Sequence, residues 1–134
     1  MTSLSPYLSV TGALKAIDFY KAAFGAVEAG QRYQEGDQVG HADLAIDGAP
    51  FSLSDESPAH KSLSPTTLGG AGVHLILAVA DPDAVFARAV AAGAVVGRPM
   101  RDEPHGRMGV LDDPFGHRWF IHGLVAGAAG EPNA

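Results

Sequence analysis

The sequence contains no cysteine among its 134 residues. That absence excludes disulfides, thiolate catalysis, iron–sulfur ligation and cysteine-type zinc sites together. Charge is also scarce, with Asp, Glu, Lys and Arg making up 18% of the chain, against about 25% in an ordinary globular domain. Acidic residues outnumber basic ones 15 to 9, for a formal net charge of -6. This balance disfavours nucleic acid or an anionic membrane surface as partner, since both attract clustered Lys and Arg. The longest apolar runs, around Leu75–Ala80 and Ala89–Val96, fall far short of the ~20 residues that span a bilayer. Met1 to Gly12 show no basic start leading into an apolar run, so no signal peptide is read and a soluble cytoplasmic protein is expected. There is no Gly-x-Ser-x-Gly, no P-loop and no dinucleotide fingerprint, which removes the usual serine-hydrolase and nucleotide-binding signatures.

Small residues are what the chain has in abundance: 17 Gly and 23 Ala. Its length fits one domain, by the usual range of about 100–200 residues, with a core large enough to need no staples. Within that domain a unit repeats. Leu8–Val10 is a strand candidate leading to a helix from about Gly12 to Phe24. Leu75–Val79 is another, leading to a helix from about Pro82 to Ala92. Asp81 is placed to cap the second helix, Pro82 sits at its first position and Gly93 stops it. Val10 and Val79 are 69 positions apart, and Gly25 and Gly93 are 68 apart. Strand candidates Val27–Tyr33 and Ala94–Val96 follow the two helices. Next come two hairpins: Gly40–Ile46 with Phe51–Leu53 across Asp47-Gly48, and Arg107–Leu111 with Trp119–Ile121 across Asp113-Pro114-Phe115-Gly116. The unit is β-α-β-β-β in residues 5–55 and again in 73–123. A Ser-, Pro- and Gly-rich linker, expected to be flexible, fills 56–72, and a tail expected to fray fills 124–134.

Period-two alternation assigns the sheet faces. Leu8 and Val10, Phe51 and Leu53, Ala42, Leu44 and Ile46, Leu75, Leu77 and Val79, and Trp119 and Ile121 form apolar sets. They should pack on the helices against Leu14, Ile17, Phe86 and Val90. The opposite face then carries Ser5, Tyr7, Ser9, His41, Asp43, Ser52 and Ser54 from the first half. From the second half it carries His74, Ile76, Ala78, Arg118, Phe120 and His122. Mixed polar and aromatic faces make poor core and plausible ligand lining.

The paired units, together with Ile17-Asp18-Phe19-Tyr20…Phe24-Gly25 and Asp113-Pro114-Phe115-Gly116-His117-Arg118-Trp119, resemble the vicinal oxygen chelate superfamily of glyoxalases, bleomycin-resistance proteins and extradiol dioxygenases. Pro6-Tyr7-Leu8, Gly40-His41-Ala42 and His105-Gly106-Arg107 are similar to its PhnB-like branch. The resemblance covers about residues 5–122. It implies an α+β fold in which two βαβββ modules form an incomplete, U-shaped mixed β-barrel with helices on the outside, usually as a homodimer. Metal-dependent members take ligands from the first and last strand of each module. Those positions fall here on Ser5, Ser52, His74 and Phe120, where only His74 is a good ligand. The expectation is therefore a protein without the family's metal and without glyoxalase I activity.

Other groups offer alternatives. His41, His74 and His122, with Asp43 near, would suit Zn or Fe if they converged. Arg107 would bind an anionic group through its guanidinium fork, or else pair with Asp102 or Glu103 in its own turn. His117 reads as a turn residue, and His60 has no identifiable partner. Two functions are consistent with this pattern. One is a metal-free binder holding a small organic molecule in the concave cleft, against Tyr7, Ser52, Ile76, Phe120 and their polar neighbours, with the acidic charge suited to a cationic ligand. The other is an isomerase, lyase or dioxygenase-type enzyme, working through the relocated His-based metal or by acid–base chemistry. In the acid–base case His41 or His74 is the base, with Arg107 or Arg118 steadying an oxyanion on a carbonyl-containing substrate.

Overall fold

The computed structural model describes residues 1–124. The rest of the tail, with its expected fraying, lies outside the described residues. A β-α-β-β-β unit occurs twice. The first module runs β1 (Tyr7–Val10), α1 (Ala13–Phe24), β2 (Val27–Glu35), β3 (Gln38–Ile46) and β4 (Ala49–Asp55). Between the modules lie a single 3-10 turn, Pro58–His60, and α2 (Pro65–Leu68). The second module runs β5 (Leu75–Val79), α3 (Pro82–Ala92), β6 (Val95–Glu103), β7 (Gly106–Asp112) and β8 (Arg118–Gly123). Each module is a four-stranded sheet, in the orders β1-β4-β3-β2 and β5-β8-β7-β6. The first strand of each runs parallel to the last, and the remaining pairs are antiparallel. The sheets stay open and do not close into a barrel within one chain. No helix among the described residues is long and apolar enough to cross a membrane.

Local chemistry sets the elements. α3 starts where the Asp81 carboxylate accepts from the Ala84 N–H at 3.2 Å, with Pro82 in its first turn, and it ends at Gly93. α1 is capped from a distance. Asp55, at the end of β4, accepts from the Gly12 and Ala13 N–H groups at 3.0 and 2.9 Å through one carboxylate oxygen. Its other oxygen accepts from Val39 N–H at 2.8 Å, so one side chain ties α1, β3 and β4 together. β2 and β6 run further than the alternation indicated, because register shifts after Ala29 and around Arg98 break the period-two pattern.

The helix-side sets pack as expected in the first module, where Leu8, Val10, Ile17, Ala42, Leu44, Phe51 and Leu53 are buried. α1 and α3 pack on each other, and on the mixed faces Tyr7 and Ile76 stay exposed. Aromatic rings fill the seam. Tyr20 lies 5.5 Å from Phe51 and 5.6 Å from Trp119, and Phe24 lies 4.7 Å from Trp119. Val90 is a correction. It is exposed at 38%, while Ala89 takes the buried position on that helix.

The linker makes its own contacts with the first module. Ser64 is buried and caps α2, and Glu56 accepts from Ser64 N–H and Thr67 Oγ1–H, each at 2.9 Å. Ser62 bonds Ser9, and Thr11 bonds Ser64 at 2.7 Å, so the linker is laid along β1.

Candidate functional site

The sheets place most of the anticipated residues on their outward faces, but in two separate groups. On the first sheet, Tyr7 is opposite Ser52 across β1–β4, and Asp43 is opposite Ser52 across β3–β4. Hydrogen bonds join them. The Ser52 hydroxyl donates to Asp43 Oδ1 at 2.5 Å, and His41 Nε2–H donates to the same oxygen at 2.9 Å. His41 Nδ1 lies 3.3 Å from the Tyr7 hydroxyl, which also lies 3.4 Å from the Gly40 carbonyl. The rings of Tyr7 and Tyr33 stand 5.4 and 6.4 Å from that of His41. The Ser52 hydroxyl, and after it the His41 ring, hold the Asp43 carboxyl below its ordinary range.

The linker covers one end of this face. Ser54 is buried and Ser9 half-buried beneath it. What remains is a cavity of about 370 Å³ lined by Tyr7, Gly40, Ser54, Asp55, Ser57, His60 and Ser62. His60, without a partner in the sequence reading, has its Nδ1 2.7 Å from the Ser57 hydroxyl.

The second sheet holds the other group. Ile76 is opposite Phe120 across β5–β8, and Asp112 is opposite Arg118 across β7–β8. His74 lies against Phe120, ring to ring at 5.3 Å, and His122 stacks on His105 at 5.5 Å. Arg118 is clamped by Asp112 through bonds of 2.8 and 3.0 Å, and this pairing depresses the Asp112 carboxyl. Arg107 does pair with Asp102, at 3.2 Å. Its chief partner is one the sequence reading missed: Asp83 on α3, held by two bonds of 2.7 and 2.9 Å. Neither guanidinium fork is free to receive a ligand anion without giving up a carboxylate. His117 is buried and reaches Ser9 O at 3.0 Å, which makes it a bridge between modules.

The relocated metal site is not assembled. His41 stands on the first sheet, while His74 and His122 stand on the second, and no cluster of three His, Asp or Glu side chains forms among the described residues. The family positions fit a metal no better. Ser52 already gives its proton to Asp43, Phe120 has no donor atom, and Ser5 is an exposed hydroxyl ahead of β1. One imidazole, His74, does not hold a divalent ion against water.

A second cavity, of about 500 Å³, lies at the seam between modules and is largely apolar, with Leu4, Pro50, Phe51, Val73, Ile76 and Trp119 in its wall. It carries few groups able to fix a ligand's orientation.

Comparison with known proteins places this geometry. The model of the Glyoxalase/Bleomycin resistance protein/Dioxygenase superfamily matches residues 6–121. The chain is 46% identical over 123 residues to "Uncharacterized protein Rv0887c" of Mycobacterium tuberculosis, covering 89% of this chain and 72% of that one. Among solved structures it is similar to TioX from Micromonospora sp. ML1, with a TM-score of 0.69 and 28% identity over 93% of this chain and 98% of that one. A PhnB protein from Bacillus cereus shares the fold, with a TM-score of 0.67 and 21% identity over 92% of this chain and 100% of that one.

Proposed function

This chain belongs to the Glyoxalase/Bleomycin resistance protein/Dioxygenase superfamily, and on that premise we propose that it binds a small organic molecule on the outward sheet faces without the superfamily's usual metal. The observation that carries this reading is the donor set. Where metal-dependent relatives need ligands, this chain offers Ser5, Ser52, His74 and Phe120, and Ser52 is committed to Asp43. The faces keep what a ligand site needs: aromatic walls at Tyr7, Tyr33 and Phe120, and polar groups that fix orientation at His41, Asp43 and Ser52. The cavity beside Tyr7, at about 370 Å³, falls within the ~300–1,000 Å³ range of small-molecule sites.

The same reading includes a homodimer. Leu4, Val73 and Ile76 are exposed at 98%, 73% and 69% beside the apolar seam cavity, and a second copy would remove this surface from water. The outward faces of two copies would then enclose the ligand.

The test combines elemental analysis with a thermal-shift screen. Metal well below one per chain, with stabilisation by organic ligands that is lost in Tyr7→Ala, supports the reading. One equivalent of metal per chain, lost on His74→Ala, overturns it.

A second reading, acid–base chemistry on a carbonyl-containing substrate, keeps one supporting observation: His41 held against Asp43 at 2.9 Å. Its oxyanion-steadying arm has lost support, because Arg107 and Arg118 are both engaged by carboxylates.

A further inference from the structure

The Tyr7–His41–Asp43 chain is built so that it can take up a proton. Asp43 is an exposed carboxylate, so its oxygen can only accept, and His41 Nε2 must therefore carry the hydrogen of their 2.9 Å bond. In the neutral ring Nδ1 is then a bare acceptor, pointed at the Tyr7 hydroxyl at 3.3 Å. The Gly40 carbonyl stands 3.4 Å from that same hydroxyl, and this second acceptor matters. When His41 is neutral, Tyr7 O–H donates to Nδ1. When His41 is protonated, Nδ1–H donates to the Tyr7 oxygen, and Tyr7 O–H turns to Gly40. Both protonation states of the imidazole are satisfied by rotating one hydroxyl.

Stability does not account for the arrangement. The His41 and Asp43 side chains are 34% and 49% exposed, and pairs this exposed contribute little to folding. The groups that touch His41 are Tyr7 from β1, Tyr33 from β2 and Asp43 from its own strand. No Lys or Arg is bonded to this group among the described residues. The polar cavity under the linker opens against Tyr7 and Gly40.

We propose that Tyr7, His41 and Asp43 form a proton-accepting relay for an acidic hydroxyl, that of a phenol or an enol, bound beside Tyr7 on the first sheet. This rests on the reading of that face as a small-molecule site and names the ligand class. In the step, the ligand O–H bond breaks and its proton passes to the Tyr7 oxygen as the Tyr7 proton passes to His41 Nδ1. The ligand is left as an oxyanion and His41 as an imidazolium, which Asp43 stabilises through Nε2–H. No electrons are exchanged and no co-reactant is required. The rings of Tyr7 and Tyr33 supply walls for a flat, conjugated ligand.

The probe is para-nitrophenol, whose ionised form absorbs visibly. Bound to the wild-type protein, it should ionise more readily than in buffer, with an apparent ionisation constant raised about tenfold, one unit on the pH scale. In His41→Gln and Asp43→Asn the probe that still binds should lose that shift, and in Tyr7→Phe the shift should be reduced. A bound probe that ionises as the free phenol does, or a shift that survives His41→Gln, overturns the relay and leaves the small-molecule reading intact. Failure of para-nitrophenol to bind overturns the phenol–enol class, while stabilisation by ligands without a hydroxyl would keep the broader reading standing. Should the variants misfold, nitrogen-15 NMR of the wild-type His41 ring decides. A neutral ring protonated on Nε2 is expected, and one protonated on Nδ1 overturns the relay.

Discussion

The Tyr20 hydroxyl donates to Asp113 Oδ2 at 2.5 Å across 93 residues of sequence, with both groups buried. Asp113 is the hub of the second module's last hairpin. It also accepts from the Trp119 indole N–H at 2.9 Å and from the backbone of Phe115 and His117 at 2.8 and 3.0 Å. A helix of one module is thereby bonded to the turn that shapes the other. Burial, reinforced by the Asp113 carboxyl, pushes the Tyr20 phenol well above its ordinary value of 10.0.

Tyr20→Phe removes this bond and should cost about 1–3 kcal/mol, the usual penalty when a buried partner loses its donor. Its pH signature runs in a defined direction. Above pH 10.0 an unfolded chain releases the phenolic proton, whereas the folded chain keeps it, so wild-type stability should fall as pH rises. The variant should lack that part of the decline. Denaturant midpoints at neutral and alkaline pH check both points.

Gly116→Ala should destabilise through two causes. Gly116 has φ +90°, which an L side chain adopts only with strain, and an added Cβ would meet Pro65 Cβ at 2.8 Å. The expected loss is about 1–3 kcal/mol, seen as a lower Tm in calorimetry. Combining Gly116→Ala with Pro65→Gly, measured against Pro65→Gly alone, should recover the steric part and leave the strain.

Glu28 holds Arg32 and Lys21, and these pairs, Arg32 first, bring its carboxyl from 4.5 down to about 2. A lowered folded value means that this contribution is present above pH 4.5 and is lost as pH falls toward about 2. Glu28→Gln should flatten that segment of the stability profile. An acid titration of both proteins by circular dichroism would show it.

Ile76→Asp tests the proposed dimer. Ile76 is 69% exposed in the single chain, so a charge there should leave the fold intact and shift the protein to a monomer by light scattering. A wild-type protein that is already monomeric at high concentration would count against a homodimer.

Much of this protein can be read along the chain. α3 begins and ends where Asp81, Pro82 and Gly93 put it, because cap, first-turn proline and stop glycine act over a few residues. Alternation likewise placed Tyr7, His41, Asp43 and Ser52 on one face, since a strand's pleat is local. Other features were not legible. The Asp55 cap on α1 spans 43 residues to Gly12, and no local pattern signals it. The β2 and β6 ends were hidden by bulges that interrupt the period. Arg107's main partner, Asp83, sits on a helix 24 positions away.

Sequence by itself determined the repeat and the sheet faces, because residue type and spacing fix both. Only the tertiary structure decided how the groups were divided. His41 fell on β3 of the first sheet, while His74, just before β5, and His122, on β8, fell with the second. The register of β3 on β4 then brought Ser52 to Asp43, whose bond to His41 two residues back on the same strand gives one imidazole a fixed tautomer. Hydrogen bonds reach only about 3 Å, so which polar residues of different strands work together was set by strand pairing.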